Sequence, residues 1–206
     1  MPSRNILKID IPESYYHVYA RGRGRQKIYR DDEDFNTFLD LFARSLASLP
    51  QHDRSNHPYP FLRGQVELLS YCLLPSHFHL LLYQIDEGAM SRLMRSVLTG
   101  YSRYFNKKYH LSGSLLESTY RASRLSNDEH VRQVSRYIHL VPRDWQGYPY
   151  SSIHAWYGIG RPEWLQPERA TGLFPSLPHY ADFLDDRAGY KASLTSVKEE
   201  LANTIA

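Results

Sequence analysis

The stretch Tyr71-Cys72-Leu73-Leu74-Pro75-Ser76-His77-Phe78-His79-Leu80-Leu81-Leu82 decides how the chain reads. Two apolar runs, 66–74 and 77–83, flank Pro75-Ser76, a dipeptide suited to a tight connection. Bounded runs of this length read as strands, and the short link makes them an antiparallel hairpin. Side chains at i and i+2 of a strand share a face. His77 and His79 therefore project together, and Phe78 packs the opposite face. Two neutral imidazoles side by side can hold one divalent metal ion.

Upstream, Tyr15-Tyr16-His17-Val18-Tyr19-Ala20 alternates as a strand and ends at the glycine-punctuated basic turn Arg21-Gly22-Arg23-Gly24-Arg25. Asp31 to Asp34 start a helix through about Leu49, with Phe35, Phe38, Leu39 and Phe42 on one face. Residues 50–60 are a proline-bearing loop. Downstream, Ser91 is the expected cap of a helix to about Tyr109, with a buried stripe of Leu93, Met94, Val97, Leu98, Tyr101 and Phe105. Gly113 to Leu125 reads as a turn and a fourth strand. Asn127-Asp128-Glu129 opens a third helix running to Pro142.

The order β-α-β-β-α-β predicts an α+β, ferredoxin-like antiparallel sheet with helices on one face, followed by a further helix. Residues 1–146 form this domain. Residues 147–206, punctuated by Pro and Gly, form a small irregular C-terminal extension packing on it, with a helix near 178–188 and a frayed end. No internal repeat is visible.

Bulk properties narrow the function. Of 206 residues, 42% are apolar, enough for a core, so disorder is not the reading. The lone Cys72 forbids an internal disulfide and fits a reducing, cytoplasmic setting. The N-terminus lacks an apolar signal region and no run approaches 18 apolar residues, so neither secretion nor a membrane partner is expected. The net charge of +3 is unevenly spread. Residues 1–30 carry seven bases, Arg4 and Lys8 among them, against Asp10 and Glu13, and residues 91–125 carry seven against Glu117 alone. From Glu163 onward, seven acids face four bases. That asymmetry suggests a polyanion-binding face on the first two-thirds of the chain.

The histidine stretch resembles the "YC-hydrophobic-MPNH-hydrophobic-H-hydrophobic" signature of the REP-associated tyrosine transposases, a branch of the single-tyrosine HUH transposases (REP, repeated extragenic palindrome). Further matches follow in order. His17 through Gln26 is similar to that family's first strand and basic turn, and Ser91 through Tyr109 to its second helix. Gly113 through Glu117 with Tyr120-Arg121 is similar to the strand that follows. Tyr137-Ile138-His139-Leu140-Val141-Pro142 resembles "YIHLNPV", and Tyr150-Ser151-Ser152 resembles "YPWSS". The resemblance spans roughly residues 10–185.

It implies single-stranded DNA cleavage and rejoining beside hairpin DNA, with Tyr137 as nucleophile and a 5′-phosphotyrosine intermediate. It also implies Mg²⁺ or Mn²⁺ on His77 and His79, and no organic cofactor. Relatives usually carry a polar metal contact four residues after the tyrosine. Here that position is Val141, which has no donor atom, leaving Gln133 or His130 as substitutes. Candidate DNA contacts are Arg21, Arg23 and Arg25 in the basic turn, Arg92, Arg95, Arg103, Lys107 and Lys108 on the second helix, and Arg121 and Arg124. Tyr101 and Phe105 read as core. A monomer is favoured over a dimer. Two alternatives stand beside this reading: a hairpin-binding protein that has lost cleavage, for which Val141 is the clue, and a metal hydrolase using Glu67 or Glu117 with the histidines.

Overall fold

The computed structural model describes residues 10–53, 55–186 and 188–195; Arg4, Lys8 and residues 196–206, expected to fray, lie outside it. The sheet is built from β1 (Ser14–Arg21), β2 (Val66–Leu74), β3 (His77–Gln84) and β4 (Arg121–Leu125), in the order β2-β3-β1-β4 with every pairing antiparallel. With α1 (Asp32–Leu46), α2 (Ala89–Tyr109) and α3 (Asp128–Leu140) interleaved, this is the predicted ferredoxin-like arrangement.

The alternation of each strand divides the molecule into two cores. Tyr16, Val18 and Ala20 of β1, with Phe78, Leu80 and Leu82 of β3, face α1 and α2. Leu81 and the β2 residues Leu69 and Cys72 face α3, which brings Val131, Val134 and Ile138. A register shift between Leu68 and Ser70 makes this possible on β2: the extra residue changes parity, so Leu68 and Tyr71 both face α1 and α2. The helices are thus not confined to one face. α1 and α2 cover the first, and α3 packs on the second, where Leu69, Cys72 and Leu81 provide an apolar patch beside the histidines of β1 and β3.

Segment ends depart from expectation for local reasons. α1 stops at Leu46, where Ala47 turns to extended backbone at ψ 159°, three residues before Pro50. α2 starts at Ala89, after Gly88 at φ 75°, so Ser91 is not its cap. Only Arg121–Leu125 of the 113–125 segment pairs as β4. Asp31 and Asn127 cap α1 and α3 through their side chains. Beyond residue 147, α4 (Ile153–Trp156), α5 (Glu168–Thr171) and α6 (Leu177–Asp185) follow. This region covers the outer edge of β2, where Leu73 N–H donates to Tyr150 O at 2.9 Å and Gln166 N–H to Leu68 O at 2.9 Å. Tyr150 also stacks on Phe35 at 3.9 Å, and the Trp156 indole donates to Leu69 O.

Candidate active site and nucleic-acid interface

α3 presses Val131, Val134 and Ile138 against the sheet, and this turns the adjacent Tyr137 toward β1 and β3. Its ring stands edge-on to His79 at 5.2 Å and to His17 at 6.0 Å. A cleft of about 350 Å³ opens here, lined by Tyr19, Arg21, Arg25, Ser76, His77, His79, Tyr137 and Ala20. The residues that the sequence nominated as nucleophile and metal ligands therefore share one cleft.

His77 and His79 lie 5.3 Å apart, centroid to centroid, with rings nearly perpendicular. Ser76 Oγ engages His77 Nδ1 at 3.1 Å, and His17 Nε2 engages His79 Nδ1 at 3.0 Å. Each imidazole is left with Nε2 for the cleft. Burial holds His79 neutral, well below the usual imidazole range, with the neighbouring His17 and His77 adding to the effect. Burial, then Arg21, also lowers His77. The Tyr137 phenol is pushed up to about 12, chiefly by burial.

Val141 caps the end of α3 and supplies no donor. Gln133 does not replace it, since its amide donates to Glu129 Oε1 and accepts from Arg136, each at 2.5 Å, and it does not line the cleft. His130 sits in the first turn of α3 with Nδ1 on Ser126 Oγ. Glu117 pairs with Arg21, and Glu67 with Arg169, so neither carboxylate joins the imidazoles. Among the described residues no three His, Cys, Asp or Glu side chains converge on an ion.

Sequence reading missed His17 and Tyr19 as part of the site. The signal was present: His17-Val18-Tyr19 alternates as His77-Phe78-His79 does, and the β1–β3 register sets Tyr19 opposite His79. Tyr19 stacks on both His17 and His79.

The cationic residues divide. Gly22 permits the basic turn, because a Cβ there would meet Gln26 O at 2.2 Å, and Gly24 takes φ 59°. The turn brings Arg25 into the cleft and leaves Arg23 exposed. Arg95 and Arg103 border two grooves flanking α2, one of about 580 Å³ against residues 113–120 and one of about 500 Å³ toward α1, which Arg92 also lines. Lys107 and Arg124 are exposed, and Arg121 is half-buried on β4. Lys108 is a correction: its ammonium is held by Asp31, Glu33 and the fully buried Asp34, at 2.7, 2.9 and 3.0 Å. The acidic start of α1 lies beside the end of α2 and neutralises it. Tyr104 and Tyr109 join this cluster, and Tyr101 and Phe105 are core as expected.

A ferredoxin-like sheet carrying paired imidazoles beneath a helix-borne tyrosine is the architecture that the motifs implied. Residues 61–140 match the family described as "Transposase IS200 like". The segment spans β2 through α3 and so includes His77, His79 and Tyr137. The fold resembles a REP-associated tyrosine transposase solved bound to a REP hairpin, with TM-score 0.54 and 15% identity over 78% of this chain and 89% of that one. A candidate transposase from Deinococcus radiodurans aligns more loosely, with TM-score 0.40 and 18% identity over 64% and 93% of the two chains. No curated protein shows significant similarity. No described helix is long and apolar enough to cross a membrane.

Proposed function

We propose that this chain cleaves and rejoins single-stranded DNA beside a hairpin, with Tyr137 as nucleophile. The observation that carries the reading is the cleft that Tyr137 shares with His77, His79 and Arg25. The Tyr137 oxygen attacks the scissile phosphorus after its proton passes to water. The bond to the 3′ oxygen breaks, that oxygen takes up a proton, and the 5′ phosphate stays on the tyrosine. Reversal by a 3′-hydroxyl rejoins strands without external energy. Arg25, and Arg21 in part, offset phosphate charge at the cleft.

His77 and His79 fit a divalent ion as a two-nitrogen set, with substrate oxygens and water completing the shell. Imidazole suits Mn²⁺ better than the hard, oxygen-seeking Mg²⁺. Such an ion would polarise the scissile phosphate. The hairpin as substrate class is taken from the relative solved with a REP hairpin. The grooves beside Arg95 and Arg103 suit its backbone.

The test is incubation of labelled hairpin DNA having a single-stranded flank with the protein and Mn²⁺, read by denaturing gel. A covalent adduct absent in Tyr137→Phe supports the reading. Tight binding without an adduct favours the hairpin-binding alternative, for which Val141 is the specific observation.

A further inference from the structure

Beyond Tyr137 and the two candidate ligands, one contact in the cleft constrains how His79 can act. His17 is fully buried on β1, with its ring 5.2 Å from that of His79, inclined by 21°, and its Nε2 3.0 Å from His79 Nδ1. The other nitrogen of His17, Nδ1, is buried without a hydrogen-bond partner among the described residues. We propose that His17 is a positioning residue that sets which nitrogen of His79 bears the proton. In the metal-free protein it keeps His79 Nε2 as an N–H donor facing the cleft. This inference rests on the cleft being the cleavage site.

The two rings are uncharged and share one hydrogen bond, so the proton position on one fixes that on the other. Each neutral imidazole has one donor and one acceptor nitrogen. If His17 Nε2–H donates to His79 Nδ1, the unpartnered His17 Nδ1 is a bare lone pair. If His79 Nδ1–H donates to His17 Nε2 instead, the His17 proton must sit on Nδ1, a buried N–H with no acceptor. Orphaned buried donors are the rarer and costlier case, so the first arrangement prevails. His79 then offers Nε2–H to the cleft and can donate directly to an anionic phosphate oxygen.

A metal ion on His79 Nε2 needs the opposite arrangement. Both rings must exchange their protons with no change in net charge, and His17 Nδ1–H becomes the orphan. Most ligating histidines are backed by a carboxylate or carbonyl acceptor, which favours the metal-ready form. His17 does the reverse. It makes ion binding costlier and leaves a metal-free hydrogen bond to phosphate as the resting function of His79.

The test uses the full chain labelled with ¹⁵N in its imidazoles. Long-range ¹H–¹⁵N correlation spectra are recorded metal-free and with Cd²⁺ as a diamagnetic probe. The expected metal-free result is protonated Nε2 on both rings, with a scalar coupling between His17 Nε2 and His79 Nδ1. Cd²⁺ should move the proton to Nδ1 on both. A metal-free His79 protonated on Nδ1, or a His17 ring that ignores Cd²⁺ bound to His79, overturns the proposal. His17→Glu supplies an acceptor-only partner and should tighten Mn²⁺ binding at least about tenfold by electron paramagnetic resonance. Unchanged or weaker binding in a folded variant counts against it, and the spectra decide if the variant does not fold. These readouts are independent of adduct formation, so they can fail while the cleavage reading holds, and the reverse.

Discussion

Lowering the pH from 7 to 5 should loosen the seam between α3 and the C-terminal region, through His139. This side chain is fully buried, with Nδ1 2.6 Å from Tyr180 Oη, Nε2 2.8 Å from Ser152 Oγ and its ring against Trp156. None of these neighbours is a carboxylate that would welcome a second proton, and burial pulls the imidazole down to about 3. In the unfolded chain it titrates near 6.5. The unfolded state therefore takes the proton first, and stability falls as pH drops through 6.5 toward 3. Linkage over that shift gives a loss of about 2 kcal/mol between pH 7 and pH 5 from this one residue. His17, also lowered to about 3, adds a loss of the same sign, so a reference protein is needed. His139→Gln keeps an amide able to reach one hydroxyl but cannot titrate. Urea unfolding of both proteins at pH 7 and 5 isolates the effect. The variant should start less stable by about 1–3 kcal/mol, having lost one buried hydrogen bond, yet lose about 2 kcal/mol less on acidification. Equal acid losses in the two proteins would refute the reasoning, since they would mean that His139 is protonated in the folded state or reached by water.

Other outcomes are open to direct measurement. With the Tyr137 phenol near 12, adduct formation should rise about tenfold per pH unit between pH 7 and 10 in single-turnover assays, and a flat profile would remove loss of that proton from the rate. Arg103→Ala should lower the salt dependence of hairpin binding by about one unit of log–log slope. Lys108→Ala should leave that slope unchanged while costing about 1–3 kcal/mol of stability, because Asp34 loses its counter-charge in the interior. Arg136 is buried, donates to Phe183 O and Gln133 and lies 4.0 Å over the Phe183 ring. Arg136→Ala should cost about 2–4 kcal/mol and expose residues 186–195 to limited proteolysis, with an unchanged digestion pattern as the contrary result.

The sequence alone determined the order of elements, the hairpin with its same-face histidines and the amphipathic stripe of α2. Each of these is a local property, set by a period of two or 3.6 residues and by turn chemistry. The resemblance to family motifs added Tyr137 as the candidate nucleophile, a nomination that no periodicity supplies. What only the tertiary structure decided depends on which distant surfaces meet. Placing α3 on the face opposite α1 and α2 depends on the patch that Leu69, Cys72 and Leu81 form there, and the parity change near Leu69 depends on the β2–β3 register. Tyr19 enters the cleft, and His17 reaches His79 from behind it, only because β1 pairs with β3, 62 residues away for the His17–His79 contact. Lys108 leaves the cationic surface only because the start of α1 folds against the end of α2. Charge and hydrogen-bonding capacity are written in single residues, but whether they remain available is settled by partners brought together across the chain, where burial makes an unpaired polar group too costly to leave alone.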